Sequence, residues 1–149
     1  MKLENFLVKA KQNTYANVGE GEENTLVDGS KELLYEEGYF KYRDRYFGSK
    51  TFAGEEVIWY NNEARWSMNY YGGLTSNMKL TKKVYEFLKK AMKLVTIDKP
   101  YRGPDEFIEG NFKYLNNVKG NIDSFKGEEK IFFKEQEVYQ LNYHGGLIN

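Results

Sequence analysis

The side chains able to do chemistry in this sequence are carboxylates, tyrosines and one histidine. The chain has 149 residues, with 22 Asp+Glu, 13 Tyr, a single His and no Cys. The lack of cysteine excludes a thiolate nucleophile, a disulfide framework and a cysteine-ligated zinc or iron–sulfur centre. One histidine excludes a multi-histidine metal site built within the chain. We therefore expect neither a metal site nor a cofactor.

Two Glu-Glu dipeptides, Glu55-Glu56 and Glu128-Glu129, are the candidate acid–base groups. A glycosidase needs two carboxylates that face the same substrate. Neighbouring residues of a strand point to opposite faces, so each dipeptide supplies only one carboxylate to a face. We interpret both dipeptides as a turn followed by the start of a strand. A small hydrolase or isomerase that uses a Glu with a tyrosine or His144 is the third functional hypothesis.

The other possible catalytic groups form no known motif. No serine lies in a G-x-S-x-G elbow, which is the usual setting of a hydrolase nucleophile. The pairs Gly72-Gly73 and Gly145-Gly146 lack the spacing of a phosphate-binding loop, and they are expected to provide positive φ after a strand. The sequence therefore leaves an enzyme open but favours a protein without catalytic activity.

Two segments of the chain resemble each other. Residues 54–74 and 127–147 are identical at nine of 21 positions. The order of the predicted elements before these segments is also the same. We predict a single domain, 1–149, made of two pseudo-repeats at about 1–74 and 75–149. A chain of about 150 residues has the length of one ordinary domain.

Each repeat is predicted to contain one helix followed by three strands. Apolar residues at helical spacing predict helices at about 2–13 and 79–95. Runs of β-type composition bounded by glycines predict six strands at about 39–47, 55–60, 64–71, 111–119, 128–133 and 137–144. An extra strand is expected near Glu32–Glu36, and hairpin turns at Asn61-Asn62 and Lys134-Glu135-Gln136. The predicted fold class is α+β: duplicated helix-plus-three-strand units, forming an antiparallel sheet with both helices packed on one face.

The alternation along the predicted strands separates core rings from a second set of residues on the helix-free face. This second set combines large rings with polar side chains, a mixture typical of ligand pockets: Trp59, Phe132, Tyr71, His144, Asn69, Asn142, Arg43 and Arg45. Trp59 and Phe132 have the alternative of forming a small second core under residues 14–37. His144 has the alternative of a structural or exposed position. Its counterpart Tyr71 lacks an imidazole, so a mechanism in which both repeats use histidine is excluded.

These eight residues are the predicted ligand-binding residues. Their rings would supply stacking surfaces, and the two asparagines would orient the ligand. Arg43 and Arg45 would favour an acidic group on the ligand. If Glu55 or Glu128 lies closer, a cation over the rings becomes the favoured ligand group.

The charges balance over the whole chain but not within its segments. The 22 Lys+Arg and 22 Asp+Glu give a formal net charge of zero, which argues against a general nucleic-acid or membrane-surface binder. Residues 20–37 hold seven acids and one base, whereas residues 79–99 hold seven lysines and two acids. We expect two solvated surfaces. The alternatives are a dimer contact between the two patches or a weak anion-binding helix.

No part of the sequence has the features of a membrane segment. The longest apolar runs fall well short of the roughly 18 residues that a membrane span requires. Residues 1–11 alternate charged with apolar residues and contain no continuous apolar core of a signal peptide. We therefore expect a cytoplasmic protein with no membrane partner.

Six segments together resemble an uncharacterised bacterial and archaeal domain-of-unknown-function family: FKYRDRYFG (40–48), FAGEEVIW (52–59), MNYYGG (68–73), FLKKA (87–91), YRGP (101–104) and YHGGL (143–147). That family occurs alone or C-terminal to Xre-type helix-turn-helix regulators. The resemblance implies a sensor or effector-binding role, without a known activity or catalytic residues to carry over. Residues 1–38 hold only one predicted helix, so the resemblance does not extend to DNA binding, and we expect no nucleic-acid partner for this chain alone.

The duplicated layout is also similar to GyrI-like effector-binding domains, whose two halves form an aromatic, acidic cleft. The leading hypothesis is a non-enzymatic domain of the effector or sensor type. It would bind a small molecule on the helix-free face or between its halves. The alternative is a module for protein interaction or homodimerisation through the same face.

Overall fold

The computed structural model describes residues 1–14, 24–77 and 79–149. Two helices, α1 (Leu3–Asn13) and α2 (Thr81–Met92), lie within the segments predicted to be helical. Among the described residues, nine strands form one antiparallel sheet in the order β1-β2-β3-β4-β5-β9-β8-β7-β6. Their bounds are β1 (Asn24–Thr25), β2 (Lys31–Glu37), β3 (Phe40–Gly48), β4 (Thr51–Tyr60), β5 (Glu63–Leu74), β6 (Glu106–Glu109), β7 (Phe112–Asn121), β8 (Ser124–Phe133) and β9 (Gln136–Leu147).

The predicted fold class is wrong. Strands account for 55% and helices for 17% of the described residues, so this is a mainly β protein and not a set of helix-plus-three-strand units. Two short strands, β1 and β6, were not predicted, whereas β2 confirms the strand expected near Glu32–Glu36. Five of the six strands predicted in the two repeats are also longer than their composition suggests, whereas β3 keeps its predicted length. Tight hairpins allow backbone pairing to continue through glycines such as Gly54, which the sequence pattern suggests are strand ends.

Two hairpins have the turns that a twisted antiparallel sheet favours. Asn61 and Asn62 join β4 to β5 with φ of 51° and 65°, which confirms the predicted turn. Lys134 and Glu135 join β8 to β9 with φ of 49° and 68°. Gln136 already pairs with Phe133, so the second turn is one residue shorter than predicted. Positive φ at both central residues matches the right-handed twist of the flanking strands.

Both helices pack on the face of the sheet that carries Tyr42 and Tyr114. The ring of Phe6 from α1 stacks on Phe40 of β3 with centroids 4.8 Å apart. Phe87 from α2 stacks in the same way on Phe112 of β7, at 5.1 Å. One hydrophobic cluster contains buried residues of both helices and of the central strands. Burial of these apolar faces is the main force that holds the helices on the sheet.

Among the residues that the structure describes, no helix combines the length and the apolar character needed to cross a membrane.

Candidate functional site

A shallow depression of about 320 Å³ lies on the face of the sheet opposite the helices, lined by Glu32, Leu34, Lys41, Arg43, Trp59 and Asn62. Backbone pairing on β2, β3 and β4 places these side chains side by side. Leu34 pairs with Arg43, and Lys41 pairs with Trp59. A register shift between Ile58 and Trp59 locally interrupts the β4–β5 ladder at this point. Such irregularities often re-aim a side chain next to a functional site.

Two predicted ligand-binding residues are in direct contact in this depression. The guanidinium carbon of Arg43 lies 5.1 Å from the centroid of the Trp59 ring, within the range of a cation–π interaction. Trp59 is half-buried, so one part of its ring remains accessible. The contact holds the arginine against the sheet and fixes where its charge lies.

The two predicted arginines have different electrostatic partners. Arg45 donates a long hydrogen bond to Glu32 at 3.4 Å, so its charge is partly balanced by that carboxylate. Within the described ranges, Arg43 forms no ion pair, whereas Arg45 does; the enclosed Nε atoms of both arginines lack a hydrogen-bond acceptor. Arg43 is therefore the predicted cation that is best placed to receive an anionic group.

Four other predicted residues lie at the centre of the same sheet face. Asn69 on β5 pairs with His144 on β9, and Tyr71 pairs with Asn142. All four side chains are exposed, and Tyr71 has 64% of its surface accessible. His144 therefore occupies the exposed position that was considered for it. These residues form a central polar group that is separate from the lining of the depression.

The structure does not bring Phe132 close to Trp59. Phe132 lies on β8 and pairs with Lys113 on one side and Glu137 on the other. Strands β5 and β9 separate β8 from the strand that carries Trp59. The alternative of a small core under residues 14–37 depends in part on residues 15–23, which lie outside the described residues.

A second polar region lies on the opposite face, between the sheet and the elements that cover it. We call it the buried cluster, and it comprises Lys11, Tyr42, Asp44, Glu56, Tyr70, Arg102, Tyr114, Asn116, Glu129, Tyr139 and Tyr143. None of these side chains is among the predicted ligand-binding residues, but Glu56 and Glu129 belong to the two Glu-Glu dipeptides named as candidate acid–base groups. All of them are buried, although five are of types that are charged at neutral pH on a protein surface (Lys11, Asp44, Glu56, Arg102 and Glu129). Charged side chains are rarely buried this far unless they are paired.

Glu56 joins α1 to the sheet within the buried cluster. The Nζ atom of Lys11, in the last turn of α1, lies 2.7 Å from one carboxylate oxygen of Glu56 and 2.8 Å from the other. The hydroxyl of Tyr42 donates to the same carboxylate at 2.7 Å. Burial lowers the pKa of Lys11, and the charge of Glu56 opposes that shift. The pair therefore ties the end of α1 to strand β4.

Glu129 likewise joins the segment that precedes β6 to the sheet. Arg102 donates to both of its oxygens, from Nη2 at 2.9 Å and from Nε at 3.1 Å. The hydroxyls of Tyr114 and Tyr139 also donate to this carboxylate. Burial raises the pKa of Tyr114, so its hydroxyl remains a donor at neutral pH. Bidentate pairing of this kind is the strongest arrangement of an arginine with a carboxylate.

Asp44 and Asn116 occupy matching places on β3 and β7. Tyr70 donates to Asp44, and Tyr143 donates to Asn116 at 2.7 Å. The amide of Asn116 also donates to the carbonyl oxygen of Gly103 at 2.9 Å. Burial, with the nearby charge of Glu56, raises the pKa of Asp44 to about 7. The position on β3 therefore holds a carboxylic acid, whereas the matching position on β7 holds a neutral amide.

The interpretation of the two Glu-Glu dipeptides as strand starts is wrong. Strand β4 begins at Thr51 and β8 at Ser124, so both dipeptides lie in mid-strand. Their second members, Glu56 and Glu129, share the face of Ile58 and therefore point into the core. The alternation of core and surface residues along each strand already indicates that these two glutamates are buried. A carboxylate in phase with core residues is a candidate for a buried site.

The described residues contain no group of three or more His, Cys, Asp or Glu side chains arranged to hold a metal ion. The buried carboxylates are engaged by lysine, arginine or tyrosine donors. These contacts suit proton binding and charge pairing.

These features define a mainly β protein with one nine-stranded sheet, a shallow polar depression on its open face and charged groups in its core. The chain belongs to the family described as domain of unknown function (DUF5680), whose family model matches residues 44–148. The matched segment contains Asp44, Glu56, Arg102 and Glu129 but not Lys11. No curated protein and no solved structure matches the chain.

Proposed function

We propose that this protein binds a small molecule with an anionic group in the depression beside Trp59, and that it acts as a domain of the effector or sensor type. The observation that carries the proposal is the position of Arg43. Its guanidinium is held over the Trp59 ring at 5.1 Å and has no carboxylate partner among the described residues. A cation fixed in this way is already oriented for a carboxylate or phosphate.

The remaining lining residues suggest how such a ligand would be oriented. Lys41 is exposed at the edge of the depression and brings a second positive charge, which is partly balanced by a Glu36 oxygen 3.3 Å from its Nζ atom. Glu32 would favour a hydrogen-bond donor on the ligand, next to its anionic group. Leu34 and the accessible part of Trp59 provide apolar surface for the body of the ligand. The proposed ligand is therefore a compact organic acid or phosphate with a donor group and a small apolar body.

The two tryptophans allow a direct binding test. Trp66 is fully buried on the helix-covered face, whereas Trp59 borders the depression. In a Trp66→Phe variant, fluorescence reports on Trp59 alone. We expect at least one compound from a panel of metabolite carboxylates and phosphates to change this emission in a saturable way. Arg43→Gln should then weaken binding by about tenfold or more, because a charge-assisted hydrogen bond contributes about 1.5–3 kcal/mol.

The matched control is Arg65→Gln, which removes an exposed arginine that already pairs with Glu63. This variant should bind like the Trp66→Phe parent. The proposal is refuted if no member of the panel produces a saturable change. It is also refuted if Arg43→Gln binds a detected compound as tightly as the parent does.

A second candidate function is homodimerisation through the same sheet face. The observation that favours it is the exposure of Leu34, Phe47 and Tyr71, which are 46%, 48% and 64% accessible. Exposed apolar side chains grouped on one face are typical of an interaction surface. If this face is the interface, the sedimentation coefficient should rise with protein concentration. Tyr71→Lys should then keep the protein monomeric. The control Lys83→Ala, on helix α2 and away from this face, should leave dimerisation unchanged. A monomer at all concentrations would exclude this second function.

A further inference from the structure

The charges inside the buried cluster do not balance. It contains three carboxyl groups, Asp44, Glu56 and Glu129, and two cations, Lys11 and Arg102. Each of these five residues is at most 3% exposed. If all were ionised, the core would hold one uncompensated negative charge. Isolated buried charges are so unfavourable that the group usually becomes neutral instead.

The hydrogen bonds show which carboxyl group carries the excess charge. Glu129 receives two hydrogen bonds from Arg102, and Glu56 receives one from Lys11, with which it also forms an ion pair. Asp44 has a hydrogen bond only from the neutral hydroxyl of Tyr70 among the contacts described. The excess negative charge therefore falls on Asp44.

The groups that face Asp44 come from every element around it. Glu56 is its direct backbone partner on β4, and its negative charge opposes ionisation of Asp44. Lys11 from α1 and Arg102 from the segment before β6 favour ionisation, but each is already bonded to another carboxylate. Tyr70 on β5 and Tyr42 on β3 contribute neutral hydroxyls. Loss of solvation outweighs the attraction of the two cations.

We propose that Asp44 is a proton-binding site of the folded protein, and that its proton stabilises the packing of α1 and the Arg102 segment on the sheet. The matching position on β7 already holds a neutral side chain. Asn116 accepts a hydrogen bond from the hydroxyl of Tyr143, just as Asp44 accepts one from the hydroxyl of Tyr70. A protonated aspartic acid has nearly the shape of asparagine and the same charge. The raised pKa of Asp44, about 7, agrees with this assignment.

The sign of the pH effect follows from the two states of Asp44. In the unfolded chain this group has its ordinary pKa of 3.8, and in the folded protein about 7. Between these values the folded state binds one more proton than the unfolded state, so the folded state becomes less stable as pH rises. The unfolding equilibrium constant should rise about tenfold for each pH unit in this range. Above the folded pKa, the effect of Asp44 levels off.

The test compares wild type with Asp44→Asn by urea denaturation at about pH 5 and pH 7. The ratio of the two unfolding constants, wild type over variant, should rise by about fiftyfold between these conditions, since Asp44 is already half ionised in the folded state at pH 7. Other titrating groups are common to both proteins and cancel in the ratio. Asp105→Asn, at an exposed carboxylate paired with Lys99, is the control and should show no such rise. A ratio for Asp44→Asn that is constant between the two pH values would overturn the proposal.

A second measurement keeps the proposal testable if Asp44→Asn does not fold. Infrared spectra of the folded wild type should show the carbonyl band of a protonated carboxylic acid near pH 6, and the band should disappear as the pH rises past the folded pKa. Tyr70→Phe removes a hydrogen bond that lowers the pKa of Asp44, so it should move this midpoint to higher pH. Absence of the band in folded protein near pH 6 would refute the assignment.

Discussion

Replacing Arg102 with methionine should destabilise the folded protein by about 3–5 kcal/mol, the usual loss when one partner of a buried ion pair is removed. Arg102 is 2% exposed and bonds both oxygens of Glu129, which is 0% exposed. Without the arginine, Glu129 keeps only the hydroxyls of Tyr114 and Tyr139 as donors. Urea denaturation at neutral pH, with a slope unchanged from wild type, measures the loss.

The control for this prediction lies in the same segment. Lys99 pairs with Asp105 at 2.6 Å, but both side chains are substantially exposed. Lys99→Met should therefore change stability little, because exposed ion pairs are screened by water. Adding Glu129→Gln to Arg102→Met should recover part of the loss, since the uncompensated charge is then gone. A loss below about 1 kcal/mol for Arg102→Met would show that Glu129 does not need its cation.

Gly145→Ala should destabilise the centre of the sheet by about 1–3 kcal/mol or more, the usual cost of overpacking. A Cβ atom at Gly145 would lie 2.1 Å from the backbone oxygen of Ser67 and 2.8 Å from the Cα of Met68. Both atoms belong to the backbone of β5, so neither can move aside by a side-chain rotation. The added methyl group should push β5 and β9 apart. Thermal denaturation measures the loss, and amide hydrogen exchange should show reduced protection in these two strands.

Asn142→Ala is the matched control on β9. Asn142 is exposed on the opposite face of the sheet, so removing its side chain leaves the contact between the two strands intact. Its melting temperature should stay close to that of wild type. If Gly145→Ala and Asn142→Ala behave alike, the close approach of β5 and β9 does not limit stability.

The sequence was sufficient to predict the parts of the fold that depend on local patterns. Local sequence patterns located seven of the nine described strands and both helices, and the turn at Asn61-Asn62 follows from residues that tolerate positive φ. The fold class was wrong because much of the strand content depends on pairing. Strand β6, Glu106–Glu109, has only four residues and is defined by its bonds to β7. Local composition does not reveal such a strand.

The candidate site was predictable only in part. Arg43 and Trp59 lie on adjacent strands with the same phase, so their contact could be inferred from alternation and hairpin order. The buried cluster could not be assembled in this way. Lys11 meets Glu56 across 45 residues, and Arg102 lies outside any helix or strand, where periodicity carries no information. The phase of Glu56, Glu129 and Asp44, each of which alternates with core residues of its strand, is the sequence signal that charge enters the core.

The strand order has a consequence for how the chain folds. Within each side of the sheet, neighbouring strands are consecutive in sequence and are joined by short turns. The central pair is different, because Leu74 on β5 meets Tyr139 and Trp66 meets Leu147. The entropy lost in closing so long a loop must be offset before this ladder forms, whereas the hairpins close with little loss. Joining β5 to β9 is therefore the long-range step of folding, and it requires glycines such as Gly145 and Gly72 at which the two backbones come too close for a Cβ atom.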